Sequence, residues 1–543
     1  MRGARSAKWV GGAIAIALAA TACGGGDSGS DDKNRAIDKN GTFVYASGEP
    51  QNPLQPANTK EAYGSDVIHT LFTGLVDYTP GTGKLVNMNA ESVTPSKDNK
   101  TWTVKLKPGW KFHNGEAVTA KSYVDAWNWA AYTPNNQTNS SWFADIAGYT
   151  DVHPEKGKPK TDKMSGLKVK GDNEFTITLT SGIPYYAYKL GYEVFSPLPS
   201  GFFKDPKGYG EKPVGNGPYK FASWDHKKSI KVTRYDGYQG PNKAKNGGVT
   251  FKNYASSEGA YKDLVSNNVD SMNQVPEGEL ANYQEDLGDR AINQDYSMIQ
   301  TIAFARYTKQ WKNIDVKVLQ GLSMAIDRDT IIKTVLNNTR EAATGWVAKD
   351  VIGYKAGACG EYCKFDAKKA KDLIKAGGGV PDNKVTIQYN ADQPHKGWVT
   401  AVCNSIKQST GVNCVGDPKT DFQADTQTRD AKKVKSMYRS GWVLDYPFNG
   451  NFLRDLYGTG VGGNQSGFSN KEFDKLTAKA DKAPTTEKSA ELYNEAEASL
   501  QNSFPSIPLW YGKLQTGAST NVTGVKFDQQ AAPIFTEVQV YKK

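Results

Sequence analysis

A mixed α/β fold, arranged in two or more lobes with a cleft between them, is what this sequence predicts. Three observations carry that prediction. Strand and helix patterns alternate through the second half of the chain, the mark of an α/β unit. The chain has 543 residues, more than one hydrophobic core serves. Aromatic residues make up 11% of it, with 12 Trp and 28 Tyr, enough to fill cores and leave aromatic surface over for a cleft.

The elements follow in order. Trp102-Thr103-Val104-Lys105-Leu106-Lys107 alternates apolar and polar residues, as a half-buried strand does. Phe175-Thr176-Ile177-Thr178-Leu179 repeats the alternation. It follows Leu167-Lys168-Val169-Lys170 across Gly171-Asp172-Asn173, so the two read as a hairpin. Between them Thr119 can cap a helix whose Tyr123, Ala126, Trp127 and Ala130 recur at helical spacing. Helices are expected near 316–326, 367–376 and 487–500, and strands near 385–389, 412–415 and 437–443. No internal repeat is visible.

The first 22 residues read as an export signal. Arg2, Arg5 and Lys8 precede an apolar run, too short to span a bilayer, that ends in small residues. Cys23 follows Ala20-Thr21-Ala22 as in a bacterial lipobox, which implies cleavage before Cys23 and a lipid on its sulfur. One acyl chain holds a membrane only marginally, so a diacyl anchor is expected. Residues 24–32 are polar and glycine-rich, and residues 23–40 are read as a lipid-anchored flexible linker. The expected location is the extracytoplasmic face of the cell membrane. Net charge is +10, from 67 basic and 57 acidic residues, and the charges are spread without a long basic run. That pattern, with export, excludes nucleic acid as a partner.

Four cysteines remain after Cys23. An exported chain meets an oxidising compartment, so disulfides are expected. Four cysteines allow three connectivities, of which local pairing, Cys359 with Cys363 and Cys403 with Cys414, is the simplest. The histidines, His69, His113, His153, His226 and His395, show no metal-ligand spacing, so no metal is expected. Gly458-Thr459-Gly460-Val461-Gly462-Gly463 formally matches the dinucleotide fingerprint, but no strand pattern precedes it and no helix opens after it, so it reads as a loop. Gly81-Thr82-Gly83-Lys84 reads as a turn. No nucleophile-and-base pattern is present, so neither an enzyme nor a cofactor is expected.

Several segments together resemble the extracytoplasmic peptide- and nickel-binding proteins of ABC importers, family 5. They are Lys111-Phe112-His113-Asn114-Gly115-Glu116-Ala117-Val118-Thr119-Ala120 after the Trp102 strand, Gly215-Asn216-Gly217-Pro218-Tyr219 with Trp224, and Ala325-Ile326-Asp327-Arg328 after a helix. Trp442-Val443-Leu444-Asp445-Tyr446-Pro447, the stretch 470–493 and Ile507-Pro508-Leu509-Trp510 complete the set. The similarity covers nearly all of 42–543 in order and is most like the oligopeptide-binding branch. It implies a two-lobed, type II periplasmic-binding-protein-like fold with an extra domain. Lobe I would be 41–72, 200–296 and 511–543, the extra domain 73–199 and lobe II 297–510, with crossings near Tyr296 and Trp510. Met298 and Val443 stand where oligopeptide-binding relatives can carry a disulfide, so that bridge is absent here.

A peptide binder must satisfy an amine, a carboxylate and an amide backbone while ignoring side chains. Backbone groups pair best by strand addition, and a buried amine needs a carboxylate. By the resemblance, Arg439-Ser440-Gly441-Trp442 ends a strand that pairs with the peptide, Asp445 takes the amine, Tyr446 adjoins the ligand and Arg439 lies near its carboxylate. Lys60, Glu61 and Ala62 occupy the place of the opposite flanking strand. A monomer that delivers peptides to permease subunits with their ATPase is implied. Dipeptides, nickel chelates, sugars or antibiotics are the other ligands this fold carries, and a secreted hydrolase is the reading from a different class.

Overall fold

Period-two burial patterns build three main sheets, and two long strands tie two of them together. The computed structural model describes residues 35–59 and 61–543. The export signal, Cys23, the first part of the linker and Lys60 lie outside them. The body is Ile37–Lys543.

The first sheet runs in the order Ser271–Met272, Thr42–Ser47, Gly248–Asn253, Ser229–Arg234, Tyr219–Asp225. It buries Phe43, Tyr45, Val232, Val249 and Phe251. The second is antiparallel, in the order Ala90–Pro95, Thr101–Leu106, Glu174–Thr178, Leu167–Gly171. Its inward side chains Trp102, Val104, Phe175 and Ile177 are buried, and Trp127 of the helix Ala120–Ala131 meets Phe175 edge-on at 5.5 Å. Thr119 and Ser122 close a capping box at that helix start.

The third sheet has the order Arg340–Ala342, Ser506–Gly517, Ala291–Phe304, Met437–Val443, Lys384–Asn390, Asn413–Lys419. Its two longest strands pair from Ala291 with Gly517 to Ala303 with Ser506. One end of that pair is fastened to the first sheet, where Ser271 Oγ donates to the Gly517 carbonyl at 2.8 Å and the Thr516 hydroxyl to that of Met272. Tyr296 and Trp510, where the chain is expected to cross between lobes, lie inside continuous strands. The ladder is interrupted between Asp295 and Ile299, which lets the pair bend there. The buried Arg328 gives its guanidinium to the Pro508 carbonyl, at 2.9 Å from Nε and 2.7 Å from Nη2, so two of the sequence motifs hold each other.

Cys359 is bonded to Cys363 and Cys403 to Cys414, with Cα–Cα separations of 5.7 and 4.8 Å. Among the described residues no helix is long and apolar enough to cross a membrane. Residues 458–463 form a loop after the helix Asn449–Tyr457. Two expectations are corrected. The linker does not reach residue 40, because Ile37 pairs with Tyr541 and Asp38 with Val540 in a small three-stranded sheet. The helix expected over 316–326 stops at Met324, because the Asp327 carboxylate accepts from Thr330 N and starts a new helix, Arg328–Thr334.

Candidate functional site

The strand Met437–Val443 is the axis of the site. Along one side it pairs with Ala291–Phe304 from Met437 opposite Phe304 to Val443 opposite Met298. The two positions singled out for an absent disulfide are thus direct partners. On the other side Lys384–Asn390 pairs only with Met437 and Tyr438. From Arg439 to Val443 that edge has no strand neighbour, so its backbone groups are open to an added strand. Alternation puts Arg439, Gly441 and Val443 on one face, and Val443 is 40% exposed there.

Asp445 stands just past the strand. Its carboxylate accepts from Asn451 Nδ2 at 2.9 Å, while Asn451 Oδ1 accepts from Asp445 N at 3.0 Å and from Trp442 Nε1 at 3.1 Å. One fully buried amide thereby fixes the carboxylate, its backbone and the indole. Burial pushes the Asp445 carboxyl up to about 7; the Asn451 bond opposes the rise and the charge of Asp455 adds to it. Among the described residues no cation forms an ion pair with Asp445. Tyr446 differs from its expected role as a ligand neighbour. It is 1% exposed, its hydroxyl donates to Asp455 at 2.6 Å, and its ring lies 6.2 Å from those of Trp142 and Tyr185. It supports the Asp445 turn from behind and presents no surface to a cleft.

Behind that turn the second sheet's domain meets the third sheet's helices through an ionic and aromatic network. Arg454 reaches Asp145 at 3.3 Å and Asp481 at 3.5 Å, Lys189 pairs with Asp145, and Tyr185 OH donates to Asp481 at 2.9 Å. Burial acts to raise the Asp145 carboxyl, but Lys189 and Arg454 hold it down at about 2. Tyr185 also stacks on Phe448 at 4.3 Å.

The other end of the axis is basic. No hydrogen bond or ion pair reaches the Arg439 side chain from the described residues, and its buried Nε has no acceptor. Burial lowers its pKa to about 10, and the charge of Arg429 adds to that. Two groups that sequence reasoning missed as ligands stand close by. His395 accepts from Trp398 Nε1 at 3.1 Å and leaves its other ring nitrogen buried without a partner. Burial, then the charges of Arg439 and Arg340, push His395 down to about 3. Arg340 donates to backbone carbonyls of Thr339 and Lys513. No local pattern marks Arg340, His395 or Asn451, because only the sheet order and one helix bring them to this strand.

The opposite flank forms no strand. Glu61 is extended, but its carboxylate caps the helix Ala62–Leu71, accepting from Gly64 N at 2.9 Å and Gln51 N at 3.2 Å, and Ala62 is already helical. Burial raises the Glu61 carboxyl despite those bonds. Lys60 lies outside the described residues.

Comparisons with known proteins identify what the chain is similar to. The family model of bacterial extracellular solute-binding proteins, family 5, matches residues 84–464. The oligopeptide-binding protein OppA of Bacillus subtilis is 24% identical over 519 residues, 92% of this chain and 92% of that protein. The dipeptide-binding protein DppE of the same organism is 26% identical over 509 residues, 90% of this chain and 89% of its own length. Among solved structures, the Escherichia coli murein tripeptide-binding protein MppA superposes with a TM-score of 0.78 at 22% identity, covering 94% of this chain and all of that one. At that identity the likeness shows the two-lobed fold.

Proposed function

The chain belongs to the bacterial extracellular solute-binding proteins of family 5, and from that premise we propose that it captures oligopeptides between its lobes and hands them to a permease driven by an ATPase. One observation carries the reading. The open edge 439–443 has a carboxylate without a cation at one end and a guanidinium without an anion at the other. A short peptide has the complementary layout, with an amine, an amide backbone and a carboxylate in line. In this reading Asp445 takes the amine, the edge around Gly441 and Trp442 takes the backbone, and Arg439 with Arg340 and His395 takes the carboxylate. Glu61 and Ala62, at the start of their helix, flank the ligand from lobe I. Relatives named for oligopeptides and for dipeptides both support peptides as the class.

The lobes divide, in the same proposal, at the two long strands, and closure about them brings Asp445 to the ligand. The protein acts as a monomer and is held at the extracytoplasmic face of the membrane by a diacyl lipid on Cys23. Changing Cys23 to Ser is expected to release the protein or leave it uncleaved; a membrane-bound variant at the processed mass would end the anchor proposal. The main test is mass spectrometry of material co-purified from the native host. Short peptides with free amino termini are expected. A sugar or a metal chelate in their place, with no heat of binding from peptides, overturns the reading.

A further inference from the structure

Next to Asp445 lies a cavity of about 470 Å³ that the backbone recognition above leaves unused. Its walls come from the end of the helix Ala62–Leu71, the hairpin of Val76–Tyr78 and Leu85–Asn87, and the C-terminal stretch 526–537. The volume is that of a small-ligand site. Leu444, the residue before Asp445, forms part of the wall. Tyr78 and Tyr192 form more of it. Burial raises both phenols, and the charge of Asp445 adds to the rise, so the amine anchor and the cavity are neighbours.

The charges in this cavity do not balance. Glu193 is matched by His69, 2.9 Å away, and Glu537 by Lys245 at 2.6 Å. Burial opposes protonation of His69, but its bond to Glu193 holds it up at about 9. Asp77 and Asp528 have no such partner. Asp77 accepts only from Tyr78 N, at 2.7 Å, and Asp528 only from the backbone N–H groups of Gln530 and Ala532, at 2.8 and 2.9 Å. Among the described residues no cation lies within ion-pair distance of either; Lys526 also lines the cavity, exposed and beyond that distance, and His69 draws on both carboxylates only from further off. Burial raises both carboxyls, Asp528 to about 6. One peptide amine satisfies Asp445 and leaves Asp77 and Asp528 with Lys526 alone against them, one negative charge in excess. Asp528 is half-buried and Asp77 stands at the cavity's rim, so a cation that enters meets both, and aromatic walls such as Tyr78, Tyr192 and Tyr238 favour one there.

We propose that this cavity is a specificity pocket for a second cationic group of the ligand, the lysine- or arginine-like side chain of its first residue. The amine held by Asp445 and the side chain beside it leave the same α-carbon, so one basic residue presents both cations to adjacent sites. The proposal rests on the peptide reading above, and the experiment separates the two. Calorimetric titration of the mature protein uses alanine peptides of three to five residues that begin with lysine, with norleucine or with alanine. Norleucine keeps the aliphatic chain and removes the charge. Lysine-first peptides are expected to bind about tenfold or more tighter than norleucine-first ones. Asp77→Asn and Asp528→Asn should each shrink that ratio. Asp77 is exposed on its hairpin, so Asp77→Asn decides the matter even if Asp528→Asn does not fold. Equal affinities for the lysine and norleucine series, or a ratio unchanged in the variants, overturns the pocket alone. Failure of every alanine peptide to bind overturns the peptide reading itself.

Discussion

The two ends of the strand Met437–Val443 are opposite in charge and in rigidity. Asp445 is held from three sides: by the Asn451 amide, by the Tyr446–Asp455 hydrogen bond behind it and by the Arg454 network beyond. The Arg439 guanidinium has no hydrogen-bond or ion-pair partner among the described residues, with Arg340 and His395 only sharing its field. A rigid anion at one end and an unconstrained cation at the other suit a ligand whose amine has a fixed place and whose carboxylate does not. In the peptide reading the first residue sets the register and the chain length varies at the far end.

The strongest way to break this comparison is Asp445→Asn, which keeps the shape and removes the charge. Removing one partner of a desolvated ion pair costs about 2–5 kcal/mol, roughly 30- to several-thousand-fold in affinity. Acetylating the peptide amine removes the other partner, so the two losses should not add in a double-mutant cycle read by calorimetry. Full-strength binding by Asp445→Asn, or simple addition of the two losses, would make Asp445 a turn carboxylate only.

Arg439→Gln sharpens the contrast from the other end. The expected loss is smaller, about 1.5–3 kcal/mol for a hydrogen bond to a charged group, because Arg340 and His395 remain to share the carboxylate. Amidating the peptide carboxyl should reproduce it. The poles have no shared partner, so the Asp445→Asn and Arg439→Gln losses should add to within about 0.5 kcal/mol. A strong coupling between them would show that the poles are not independent sites.

The legible parts of this molecule are those written in local periodicity. The alternation of Thr101–Leu106 and the capped helix Ala120–Ala131 lie within a residue of where the pattern puts them. The strand Met437–Val443 and the motif around Asp445 could be read because they are contiguous. Arg340, His395 and Asn451 could not, because their roles depend on the strand order of the third sheet and on the helix Asn449–Tyr457 turning back onto Asp445. The balance of charge in the 470 Å³ cavity was equally hidden, since Asp77 and Asp528 are 451 positions apart in sequence and come together only in the wall of that cavity. Tyr446 shows the reverse case: the resemblance of its motif implied ligand contact, whereas its ring is consumed by packing.

The smallest expected effect is a proton. With the cleft open, Asp445 meets water and titrates in the ordinary carboxylate range near 4. In the buried setting of this structure it is lifted to about 7, and closure of the cleft is taken to produce that setting. Between those values closing the empty cleft takes up a proton, so acid favours the empty closed form and that advantage is lost as pH rises through about 7. A peptide ammonium needs the carboxylate ionised and must displace that proton. Free-amine peptides should therefore bind more weakly as pH falls below 7, by up to about tenfold per unit, and should release protons on binding. His395, near 3, and His69, near 9, keep their charge states across this interval and do not contribute. Asp528, raised by burial to about 6, titrates within it, so the Asp528→Asn variant is measured alongside to subtract its share. Glu497 also lies near 7, but its carboxylate accepts from Trp346 N and Val347 N inside the third sheet's lobe, so its titration bears on stability and is blind to acetylation of the ligand. Calorimetry at pH 5.5 and 7.5 in two buffers of different ionisation enthalpy reads both the affinity and the proton count. Asp445→Asn should flatten the dependence, and N-acetylated peptides should not show it. Equal affinity at the two pH values without proton release would mean that the unliganded protein rests with Asp445 in water, its cleft open, and that the rigid end of the comparison forms only when the ligand arrives.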